Sequence, residues 1–240
     1  LRREVTAARR AVPKTLSLTA PPTPVKPDGD LGEWDAGQFT AIGKRGAFAV
    51  RADKKNLYVA WRVDSGQPLR NAGDEPQLLF KTGDSVDLQI GTDPAADPHR
   101  TQPAPGDQRL LISLFKGQPI GVLYRHRVPD TPGAERIGFS SPWRTEYVDR
   151  IERLDPANIG IARTKTGYAV EAVVPLELLG LKLQPGKRYM IDFGILSADS
   201  GGSVTVTRTY WANKATGLVN DVPGEITLHP GLWGTVQFAE

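Results

Sequence analysis

The chain has 240 residues, 39% of them hydrophobic, enough for one large β domain or two small ones, with the single domain the simpler arrangement. Its formal charge of +3 owes much to Arg2, Arg3, Arg9, Arg10, Lys14 and Lys26 set against Glu4 alone, so the body carries no basic stripe for nucleic acid. The absence of cysteine excludes disulfides and thiolate metal sites, and no run of about 18 apolar residues exists to span a membrane. The first residue is Leu1 and not Met, which points to a processed secreted protein or a segment of a longer chain.

In chain order, residues 1–12 have a thin apolar stripe that suits a short basic helix, ended by Pro13. Pro21, Pro22, Pro24 and Pro27 then make a stiff connector, so residues 1–27 read as a basic, Pro-rich arm or linker ahead of a body at 28–240. Within the arm, Val12, Thr15, Leu16, Leu18 and Thr19 suit an edge strand, which docking on a neighbouring subunit would use. The body opens at DGDLGEWD, where Gly29 permits a turn and Leu31 and Trp34 turn inward. Its acids Asp28, Asp30 and Asp35 are candidate oxygen ligands for calcium, without the full spacing of an EF-hand loop.

Period-two alternation then predicts strands. In residues 56–64, Leu57, Val59, Trp61 and Val63 alternate with Tyr58, Ala60 and Arg62; in 85–91, Val86, Leu88 and Ile90 alternate with Asp87 and Gln89. Further strands are expected at 47–52, 109–115, 120–127, 159–163, 168–175, 188–196, 204–211 and 234–238, separated by turn residues. One helical turn is expected at 176–179, capped by Gly180. Short strands without alternating helices predict an all-β, antiparallel β-sandwich of jelly-roll type. No GxSxG elbow is present, and Asp84 and Asp87, at odd spacing, face opposite ways and form no glycosidase pair, so a non-catalytic protein is expected.

The order DGDLGEWD, NLYVAWRVD, GDSVDLQIG, GYAVEAVVPLELLG, YWAN and LWGTVQF, from Asp28 to the C-terminus, resembles the DOMON-like superfamily and is most similar to the family 9 carbohydrate-binding modules. The resemblance implies a secreted, periplasmic or cell-surface β-sandwich that binds a carbohydrate at one end or on a concave face, with structural calcium. By the same resemblance, Asp84 falls on the family's binding-strand acid and Arg109 near its sugar-contacting arginine. Lys81 stands where the family has its first stacking tryptophan, and residues 223–231 stand where it has its second.

A pyranose needs an aromatic plate for its apolar face and amide or charged groups for its hydroxyls. Trp143 and Trp211 are the candidate plates, and Asn71, Asp74, Asp84, Arg109 and Asn213 the candidate edges. Related domains hold haem through a methionine with a histidine or lysine. Here Met190 reads as a core filler, His99 as a loop residue and His126, between Arg125 and Arg127, as a surface residue, so haem is not expected. The alternative function is a structural module of an extracellular assembly, with residues 1–27 docked on a neighbour.

Overall fold

Side chains that alternate along a strand can bury one face of a sheet and leave the other free, and two such sheets bury each other. The computed structural model describes residues 14–216 and 221–239. Its first seven strands are β1 (Thr15–Leu18), β2 (Thr40–Ile42), β3 (Gly46–Ala52), β4 (Asn56–Val63), β5 (Ser85–Gly91), β6 (Asp107–Phe115) and β7 (Gln118–Arg125). There follow β8 (Ile137–Ser140), β9 (Thr145–Val148), β10 (Arg150–Leu154), β11 (Ile159–Arg163), β12 (Tyr168–Pro175), β13 (Arg188–Ala198), β14 (Thr205–Tyr210) and β15 (Gly234–Phe238). Two short helices, α1 (Leu176–Leu179) and α2 (Val222–Ile226), accompany them; Gly180 closes α1 in the left-handed region, φ 62°.

Among the described residues these strands form an eight-stranded sheet, in the order β1-β15-β13-β5-β6-β7-β10 with β14 also on β13, and a five-stranded sheet, β11-β12-β4-β3-β2. All pairs are antiparallel except β1 with β15. The inner faces meet in one core, where Phe48 of β3 stacks on Phe193 of β13 with ring centroids 3.9 Å apart and Trp61 and Trp211 close around them. The architecture is the expected β-sandwich, and β5, β11, β12, β15 and α1 run over the expected residues.

The described part of the arm lies on the body. From Lys14 onward it belongs to the body: β1 pairs in register with β15 of its own chain, Leu18 is buried in the core, and Lys14 Nζ donates to the Trp211 carbonyl at 2.8 Å. The edge strand is therefore used within the molecule, because Leu18 alternates inward where the core lacks a residue. The helix expected at 1–12 lies outside the described residues. No helix among the described residues is long and apolar enough to cross a membrane.

Both outer faces are covered as well. On the small sheet, Trp34 packs with Ala49, Tyr58 and Ala60, and its indole N–H donates to Glu171 Oε1 at 2.7 Å while Gly29 N–H donates to Oε2 at 2.9 Å. On the large sheet, the two-stranded β8–β9 hairpin sends Phe139 and Val148 down onto Leu111, Val122 and Tyr124. Phe80 and Ile226 of α2 join the same cluster, so the outer face of the central strands is roofed.

Burial pushes the Glu171 carboxyl up to about 7 against the pull of its two donors. A folded-state value above the unfolded one gives stability that is complete at low pH and lost as pH rises through the window from about 4.5 to about 7. Urea denaturation of the protein should therefore show stability falling by about 1–3 kcal/mol across that window, and the Glu171→Gln curve should be flatter there. Parallel curves would mean that this carboxyl titrates normally.

A candidate ligand cleft on the roofed face

The polar residues that alternate with the core along β5 and β6 do not meet bulk water. Asp87, Gln89 and Arg109 point to the outer face, under the roof, where Tyr210 of β14 joins them. Arg109 Nε donates to Asp87 Oδ2 at 2.8 Å, with Nη2 2.7 Å from the same oxygen, and the Tyr210 hydroxyl donates to it too. Gln89 Nε2 donates to the Tyr210 oxygen at 3.0 Å, and the Trp233 indole N–H donates to Gln89 Oε1 at 2.8 Å. The Asp87 charge beside it holds the Arg109 guanidinium protonated despite burial that opposes it, and burial pushes the Tyr210 phenol up.

The roof closes on this floor through α2. Arg109 Nη1 donates to the Glu225 carbonyl at 2.9 Å, and the Glu225 carboxylate takes Arg208 on one oxygen (2.8 Å) and Lys81 on the other (3.0 Å). Asp221 caps α2 by accepting Gly224 N–H and pairs with Arg144 of the β8–β9 turn at 2.8 Å. Between roof and floor remains a polar cleft of about 210 Å³, with Gln89, Arg109 and Tyr210 beneath and Arg144, Asn213 and His229 around its mouth. Asp192, behind it, accepts the N–H of Ala212 and of Asn213 (2.8 and 2.7 Å) and so fixes the backbone that carries Asn213. Burial pushes the Asp192 carboxyl up to about 6.

Of the residues singled out in the sequence, Arg109 and Asn213 line this cleft, and Trp143 sits beside it in the chain, next to Arg144. Trp143 is 87% exposed at the tip of a turn closed by Ser141 N–H on the Arg144 carbonyl. Trp211 is no plate: it is 2% exposed, edge-on to Phe48 and Phe193, because its strand alternation turns it inward. Lys81 is spent on Glu225, and Asp84 lies elsewhere, accepting the N–H of Arg70 (3.0 Å) and of Ala198 (2.7 Å). Asn71 caps its own loop through Gly73 N–H, and Asp74 is exposed there.

Asp28, Asp30 and Asp35 are not brought together as a ligand set. Asp28 accepts Asp30 N–H, Asp30 accepts Gly32 N–H, and Asp35 caps the short helix that ends at Gln38; among the described residues no group of three or more acids and histidines is arranged to hold a metal ion. His126 is fully buried and not at the surface, because its register on the end of β7 sends it under the roof with Tyr124. Its ring nitrogens find no partner among the described residues, and burial beside Arg109 and Arg127 pushes it down to about 3.

No protein-family model matches the chain, and no curated protein sequence does. Solved structures do. A family 9 carbohydrate-binding module from Caldicellulosiruptor kristjanssonii, in complex with glucose, superposes with a TM-score of 0.53 at 16% identity over 94% of this chain and 96% of that one. The same organism's family 9 module in complex with cellotriose gives 0.50 at 16% identity over 94% and 93%. A Bacteroides uniformis protein provisionally named as carbohydrate-binding gives 0.54 at 10% identity over 95% and 100%. The chain has the fold of a family 9 carbohydrate-binding module. At such identities the superposition fixes the path of the chain and leaves the chemistry of each side chain to be read from this sequence.

Asp87, Gln89, Tyr210, Arg208 and Glu225 are the cleft residues that sequence reasoning passed over. An acid and an amide two apart place both side chains on one face of β5, but that alternation suits a solvated face as well as a covered one. The buried Asp87–Arg109 pair gives a direct check. Asp87→Ala should cost about 3–5 kcal/mol in urea denaturation by stranding the guanidinium, and the double change Asp87→Leu with Arg109→Met should recover most of that loss. A single change as mild as the double one would show that the pair is not shielded from water.

Proposed function

We propose that the protein binds a carbohydrate, without catalysis, at the cleft on the roofed face of the large sheet, and that it does so outside the cytoplasm. The observation that carries this reading is Trp143. Trp143 is 87% exposed on a tight turn, next in the chain to Arg144, which lines the polar cleft, and so offers an open apolar plate within reach of that cleft. A sugar supplies what the two features need together: an apolar ring face for the indole, and hydroxyls for Arg144, Asn213 and the Gln89 amide. The cleft, at about 210 Å³, is smaller than the roughly 300–1,000 Å³ usual for an enclosed ligand. It therefore takes the edge of one terminal sugar unit, while the ring lies against Trp143 outside.

The fold shared with modules solved on glucose and cellotriose supports this reading. The alternative, an assembly module whose arm docks on a neighbour, has less to work with, since β1 is already paired to β15 of its own chain. Isothermal titration with glucose and cellotriose should give saturable binding that weakens about tenfold or more in Trp143→Ala, a change worth roughly 1.4 kcal/mol per decade. The melting temperature should stay put, because the lost side chain packs on little. Equal affinity in Trp143→Ala and the parent protein would defeat the proposal.

A further inference from the structure

A larger cavity, about 440 Å³, opens at one end of the sandwich, where the turn after β2 stands opposite β13 and β14. Its back wall is apolar, formed by Ile42, Val63 and Ile195; Gly46 has no side chain there because a Cβ would sit 2.0 Å from Ile195 Cδ1. Its front carries Lys44, Arg45 and Arg70, and its single acid is Asp84. Asp84 offsets only part of that charge, and its two oxygens already accept the backbone N–H groups of Arg70 and Ala198, so among the described residues it makes no hydrogen bond to the guanidinium. Asp199, the other carboxylate that acts on Arg70, is likewise engaged by the N–H groups of Ser203 and Val204.

Two further observations concern unmet hydrogen-bonding capacity. Arg70 Nε is enclosed and has no acceptor among the described residues, and neither Lys44, Arg45 nor Arg70 forms an ion pair there. The Tyr168 hydroxyl, in the core and not on the cavity wall but within the electrostatic reach of Asp84, also has no partner among the described residues. Enclosed donors without acceptors are rare in folded proteins and mark a place where an oxygen belongs. The cavity is of ligand size, combines an apolar wall with the hydroxyls of Ser197, Thr207 and Thr209, and has three cations at its mouth to one carboxylate already satisfied.

We propose that this cavity is a second binding site, separate from the cleft beside Trp143, for a small polyhydroxylated ligand bearing an oxyanion, of which a uronic acid is the simplest case. The anionic group meets Arg70 and the Lys44–Arg45 turn, the hydroxyls meet the serine and threonine side chains, and the carbon skeleton lies on Ile195. The site is independent of the sugar cleft, and the test keeps the two apart.

Titration with glucuronate at low salt, followed by calorimetry, should give saturable binding that weakens at high salt. It should weaken by about tenfold or more both in Arg70→Gln, whose side chain holds nothing else, and in Lys44→Glu with Arg45→Glu, on an exposed turn that leaves folding alone. Trp143→Ala should bind glucuronate as the parent does. The proposal is overturned by any of four results: no saturable glucuronate binding, binding indifferent to the charge changes, binding lost with Trp143, or sulfate alone binding as tightly as glucuronate.

Discussion

A guanidinium and a carboxylate pressed together on the outer face of the central strands, with almost no access to water, set the terms for the rest of the molecule. Removing two charges from solvent costs several kcal/mol apiece, and their mutual attraction repays it only if the remaining donors are also met. Asp87 uses up one edge of Arg109; Tyr210 and the Glu225 carbonyl meet the other donors. The second of those acceptors belongs to α2, so the segment after β14 has to return across the sheet. Roof and floor are thus coupled: the pair is tolerable only when α2 is in place, and α2 is aimed by the pair.

What the roof leaves open follows from how it is made. It meets the floor through carbonyls and ion pairs, so the gap between them is polar, and its tyrosine, Tyr210, is buried in the hydrogen-bond network of the floor. The apolar complement has to come from outside, and the hairpin provides it for a geometric reason. Phe139 and Val148 already fill the hairpin's inner side, so the turn residue Trp143 has no buried place to go. Ser140 and Thr145 hydrogen-bond to each other at 2.8 Å just behind the turn and hold it as a unit. A turn held in this way loses little backbone entropy when a ring is placed across the indole and the gap.

Much of the fold could be read from the sequence because alternation bounded by glycine and proline is unambiguous. The expected ranges for β5, β11, β12, β15 and α1 match the structure residue for residue. The strands that escaped were those whose faces carry little contrast: β2 has three residues, and β8, β9 and β10 interleave charges with isolated apolar positions. Helix α2 had a legible start, an Asp221 cap followed by Pro223 and Glu225, but it lies in a stretch too short for periodicity to register. For the site, alternation identified which residues face outward in β5 but not whether outward means solvent. Asp87 and Gln89 were therefore passed over, while Trp211, outward in composition, proved to face in. Arg109 was legible through the family resemblance, and Asn213 and Trp143 through the residue types that a pyranose needs.

The four residues from Asp84 to Asp87 explain why the molecule has two different recesses. Asp84 and Asp87 are separated by an odd number of positions, so one falls at the open end between the sheets and the other on the roofed face. Asp87 meets an arginine side chain, and charge is largely settled locally: Arg109 pairs with Asp87, Arg144 with Asp221, and Arg208 and Lys81 share Glu225. Asp84 instead turns to backbone amides, which tie the loop at Arg70 to the end of β13 at Ala198. A carboxylate satisfied by amides fixes two chain segments, yet contributes nothing directional to the nearby guanidinium. Among the described residues Lys44, Arg45 and Arg70 make no ion pair, which leaves their donors for an oxyanion from outside the chain, whereas the roofed face asks only for hydroxyls and an apolar ring. Two acids of one type, three residues apart, thereby give one recess whose cations are ion-paired and one whose cations are not, and the ligand chemistry of each follows from that division.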